Sequence, residues 1–126
     1  MSEENDRPAA ADANQVDLVA IPLLESIRNP DKTWDRLAPR YGVTNPDPPW
    51  KVSLAATCEC LSAVAALPSL ERRHAEDRLG ESLYRDTPAP EQQLLALAHT
   101  MLSRGLLAEA DLARRMKAVR SRLESA

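Results

Sequence analysis

Residues 88–123 read PAPEQQLLALAHTMLSRGLLAEADLARRMKAVRSRL. Pro88 and Pro90 stand where a helix can begin, because the N–H groups they lack would find no partner in a first turn. Leu94, Leu95, Leu97, Ala98, Met101 and Leu102 follow at helical spacing, and Gly105 is placed to end the run. Beyond it Leu112, Met116, Val119 and Leu123 recur at intervals of four, three and four. Arg114, Arg115, Lys117, Arg120 and Arg122 occupy the other face of that second helix. A connection as short as the one around Gly105 predicts an antiparallel hairpin of two long C-terminal helices.

Working back toward the N-terminus, residues 50–66 are the most apolar segment. Val52, Leu54, Ala55, Cys58, Leu61 and Val64 give a broad helical stripe, more than 126 residues readily bury, with Pro68 as its stop. Ser69 is placed to cap a helix running to about Gly80, although Arg72 stands where a capping box needs an acid. Apolar residues from Val16 to Ile27 predict a helix over 15–28, started or interrupted at Pro22 and stopped by Asn29-Pro30. A short helical turn over 32–40 carries Trp34 and Leu37, and a loop rich in Pro, Asn and Asp follows to Pro49. The fold class expected is all-α: four to five helices in a single domain, 15–126, preceded by a flexible, extended arm over 1–14.

Composition agrees. Ala and Leu favour helix, and three glycines in the whole chain leave no glycine-rich phosphate loop. A net charge of −3 argues against a nucleic-acid binder, and no apolar run is long enough to span a membrane. The polar, acidic start has no apolar signal core, so a cytoplasmic location is expected.

No catalytic constellation stands out. Cys58 and Cys60 lie two apart, and on a helix such residues point about 200° away from each other, a poor grip for one ion. Two histidines, His74 and His99, have no ligand partners at useful spacing. The cysteines read as small hydrophobes, and Glu109 and Asp111 as favourable charges in a first helical turn.

The segment Ala56-Thr57-Cys58-Glu59-Cys60-Leu61, preceded by Trp50 and followed by Glu71-Arg72-Arg73, Gly80, Tyr84 and Pro88, resembles the small helical subunit of the nitrile hydratase and thiocyanate hydrolase family. In that family an arginine is followed after ten residues by tyrosine and after three more by proline; Arg73, Tyr84 and Pro88 keep this spacing, and the likeness extends over residues 50–123. The resemblance implies a non-catalytic beta-type subunit of a nitrile hydratase, a lyase that hydrates nitriles to amides only as a complex. It implies that Co(III) or Fe(III) sits in a partner alpha subunit, on cysteines oxidised to sulfinate and sulfenate. This chain would bind no cofactor itself. It would cover the site, with the nitrile at the interface and a separate SH3-like barrel subunit completing a three-chain enzyme.

By the same resemblance Arg73 hydrogen-bonds the oxidised cysteines, or Arg72 if the register differs by one. A guanidinium suits that role, because its planar fork can meet two oxygens at once. Tyr84 is either an interface or pocket residue or an anchor for the loop before Pro88. The chain departs from the family directly after Pro88, where Ala89-Pro90-Glu91 replace aromatic residues, so pocket contacts from that turn are not expected to carry over. A thiocyanate hydrolase beta subunit, an activator protein that escorts the alpha subunit during metal loading, and a generic helical adaptor are the alternatives.

Overall fold

A computed structural model describes residues 16–125; the expected arm over 1–14 lies outside the described residues. Among these the chain is all-α, with six helices and one 3-10 turn and no strand. The helices are α1 (Pro22–Ile27), α2 (Trp34–Arg40), α3 (Lys51–Ala63), α4 (Ser69–Gly80), α5 (Ala89–Ser103) and α6 (Glu109–Ser125), with the 3-10 turn Pro30–Lys32 between α1 and α2.

The core has two parts that meet on α5. Leu24, Leu79, Tyr84, Leu95 and Ala96 form one, and Leu54, Cys58, Leu67 and Leu97 the other. Trp50 opens α3 and packs on the second. Neighbouring positions 95, 96 and 97 all being buried makes α5 the central helix, covered on more than one side.

The closest helix pairing is α4 with α5, one step earlier than the sequence suggests. Gly80 sits against Gln92, whose side-chain oxygen would lie 2.8 Å from a Cβ at residue 80. Gln92 also donates to the Tyr84 carbonyl at 2.9 Å and so holds the connecting loop in place. An ion pair between Arg104 and Glu71 at 2.6 Å joins the far ends of the two helices.

The two C-terminal helices expected to pair, α5 and α6, pack only loosely on each other among the described residues. The turn is as expected: Gly105 has φ +74, and Leu106 N–H donates back to the Met101 carbonyl at 2.9 Å, a Schellman closure. Yet α6 buries none of its residues. Its stripe is narrow, and α5 is already covered by α4 and the N-terminal segment. The base of α6 is tied to α1 instead, through Leu23 N–H and the Glu109 carboxylate at 3.0 Å.

Three further expectations differ at element ends. Residues 16–20 are not helical: Val16, Leu18 and Ile21 pack on the core from an extended segment, and the helix starts only at Pro22. The N-cap of α4 is Pro68, not Ser69, whose side chain caps nothing. Helix α3 ends at Ala63, before the expected Ala66, in the same Schellman pattern, with Ala65 in the glycine position at φ 61. An exposed alanine there gains no packing and bears the left-handed penalty. Ala65→Gly is therefore expected to stabilise the chain by about 0.5–1 kcal/mol, the steric relief less the added unfolded-state entropy. Denaturant unfolding measures this.

Candidate functional site

Helix α4 fixes the arginine pair. Ala75 and Leu79 are buried, which sets the phase of the helix. Arg72, three residues before Ala75, is turned inward toward α3, whereas Arg73 is rotated about 100° further round and is exposed.

The two guanidinium groups are used differently. Arg72 Nη1 binds Glu76 at 2.5 Å, the pair is largely covered, and Arg72 Nε is buried with no partner of its own among the described residues. Arg72 lines a shallow cleft of about 470 Å³ with Cys58, Glu59 and Gln93. Arg73 makes no hydrogen bond or ion pair among the described residues. Beside it on the same face stand Leu70, which is 63% exposed, and the exposed His74 and Asp77. This surface combines a free planar cation with an apolar side chain, on a helix whose other face is locked in the core.

Burial pushes the Cys58 thiol up; Arg72 opposes the shift and Glu76 adds to it. Cys60 is exposed on the opposite side of α3. The two thiols therefore diverge, as their spacing requires. Mild alkylation of the native chain is expected to give a single adduct on Cys60, and Cys58 should react only after denaturation. Equal labelling of both by mass spectrometry would contradict this packing.

No family model, no curated protein and no solved structure matches this chain.

Tyr84 is fully buried and belongs to the core, so it does not serve as a surface that a partner could meet. Its hydroxyl lies 2.8 Å from His99 Nδ1, and His99 Nε2 lies 2.5 Å from the Asp17 carbonyl. A carbonyl only accepts, so Nε2–H donates to it, and Nδ1 accepts from the tyrosine. Arg28 covers the Tyr84 ring at 5.3 Å from its centroid. Burial, reinforced by Glu25 and opposed by Arg28, pushes the Tyr84 hydroxyl up to about 12. The pair pins the N-terminal segment to α5, whereas the anchor expected of Tyr84 was for the loop before Pro88.

The residue that sequence reading passed over is Glu91. Its Oε2 accepts from Trp34 N–H at 2.6 Å, closing α2 onto the start of α5. Its Oε1 is buried and accepts nothing among the described residues. A cleft of about 390 Å³ opens beside it, bounded by Ile27, Arg28, Thr33, Pro88 and Leu94. Its acidic side chain in the first turn of α5, just after Pro90, is the signal that marks it in the sequence.

No three His, Cys, Asp or Glu side chains among the described residues are grouped to hold a metal ion. No helix among them is long and apolar enough to cross a membrane.

Proposed function

We propose that this chain is the helical beta-type subunit of a nitrile hydratase, docking on an alpha subunit that carries the metal. In the complex that metal would polarise the nitrile for attack by water. Arg73 is this chain's contribution: its guanidinium would donate to the oxidised cysteine oxygens of the partner and neutralise them in a dry interface.

The observation that carries the reading is the contrast between the two arginines. Arg72 is committed to Glu76 within the chain, and Arg73 is presented outward and unpaired among the described residues. Arg73 is also the residue that keeps the family's spacing to Tyr84 and Pro88. A fork destined for a partner's oxygens must be free in the lone chain, and its backbone must not move. Leu79 and Ala75 hold α4 in that way. Exposed Leu70 supplies apolar contact beside the charge.

Co-expression with a cobalt- or iron-binding alpha chain and a barrel chain of the family tests assembly. A single co-purifying complex is expected. A chain that elutes alone and ignores both would end the reading. A substrate panel separates nitriles from thiocyanate, and transient rather than stable association would mark an activator.

A further inference from the structure

We infer that α6 is a docking helix for an acidic amphipathic helix of a different protein chain. The proposal goes beyond the metal-site reading and stands without it.

The face exists and is open. Leu112, Met116, Val119 and Leu123 form an open apolar strip along α6, flanked by Arg115, Arg120 and Glu124. Val119 is 42% and Leu123 73% exposed, and no residue of α6 is buried. The spacing of four, three and four is that of a coiled-coil seam, with Met116 and Leu123 at a positions and Leu112 and Val119 at d positions. A seam confined to a and d suits one facing helix. A membrane surface asks for a wider apolar arc, with aromatic residues that α6 lacks.

Charge then selects the occupant. The positions flanking the seam are Ala113 and Arg120 at e, and Arg115 and Arg122 at g. Arg115, Arg120 and Arg122 make no ion pair among the described residues, whereas Arg114, on the outer face, is paired with Asp111 at 2.7 Å. Among the described residues the seam cations are thus unpartnered, while an off-seam one is satisfied within the helix. A second copy of α6 cannot satisfy them. A parallel pair would set Arg115 against Arg120 of the other copy, and an antiparallel pair would set Arg115 against Arg122. An opposing helix with Leu or Ile at its seam and Glu or Asp beside it meets both the apolar strip and the three arginines. Residues 1–15 are acidic but hold no Leu, Ile or Val to build such a seam, so the helix is assigned to another chain.

The test mixes the full chain with synthetic 21-residue helices that share a leucine seam and differ in their flanks. The chain alone is expected to sediment as a monomer. It should bind the Glu-flanked helix at least about tenfold more tightly than the Lys-flanked one, and added salt should weaken that binding. The exposed sites allow clean variants. Val119→Glu with Leu123→Glu should abolish binding with an unchanged circular dichroism spectrum. Arg115→Glu, Arg120→Glu and Arg122→Glu together should reverse the preference. Equal binding of both helices, binding of neither, or self-association of the chain at micromolar concentration would overturn the proposal. So would partition onto phosphatidylserine vesicles without binding to the acidic helix.

Discussion

Arg73→Lys is expected to slow nitrile hydration by the assembled complex by about thirty- to a thousand-fold, with the complex intact and its metal content unchanged. Lysine keeps the charge but replaces a planar fork with a point donor, so it cannot hold two oxygens in register. The loss corresponds to about 2–4 kcal/mol, in the range for a charge-assisted hydrogen bond at a water-excluded site. Because Arg73 touches nothing else among the described residues, the folded chain should tolerate the change. Arg114→Lys and Lys117→Arg, on exposed positions of α6 outside its seam, should leave turnover near the parent rate. Arg72→Lys should behave differently again. It weakens a covered pair with Glu76, so its cost should appear in stability rather than in turnover of the folded complex. Equal rates for all four variants would remove Arg73 from the site, and a turnover loss confined to Arg72→Lys would shift the register by one.

Tyr84→Phe is expected to destabilise the chain by about 1–3 kcal/mol, because it strips His99 Nδ1 of its donor in a fully buried position. The same pair gives the chain an alkaline limit. The folded-state hydroxyl is raised to about 12 from an ordinary 10. Its contribution is therefore fully present below pH 10 and is lost as the pH rises through 12, at about 1.4 kcal/mol per pH unit within that window. The phenylalanine variant lacks this dependence, so the stability gap between the two proteins should narrow between pH 10 and 12. Tyr41, 78% exposed, offers the control: Tyr41→Phe should leave the alkaline profile unaltered. Denaturant unfolding at stepped pH measures both. A gap that stays constant would place the Tyr84 hydroxyl in water.

Helices α3, α5 and α6 were legible because their apolar residues recur at a helical period, and proline and glycine mark both ends of α5. Other features carried no such mark. Ala65 takes a left-handed conformation that only its neighbours' hydrogen bonds impose. Val16, Leu18 and Ile21 suggest a helical face but serve an extended strap, since Pro22 sets the start of α1 and the Asp17 carbonyl is taken by His99. Helix α4 is mostly charged and buries only Ala75 and Leu79, so nothing in its sequence marked it as the main partner of α5. That closeness rests on Gly80 and Gln92 instead.

The candidate site was legible in part. The phase set by Ala75 and Leu79 separates Arg72 from Arg73, and that phase can be read from the sequence once α4 is known to pack by those two residues. The pairing of Tyr84 with His99 and of Glu91 with Trp34 could not be read there. Both are long-range contacts made by polar groups, and they depend on how the helices pack rather than on any local pattern.

The central claim is that this chain completes a metal site carried by another. The direct measurement is nitrile turnover and metal content of a purified alpha chain with its barrel chain, with and without this protein. The metal should remain with the alpha chain in both samples, and hydration should appear only when this chain is added. Full activity without it, or a stoichiometric metal ion on this chain alone, would contradict the claim.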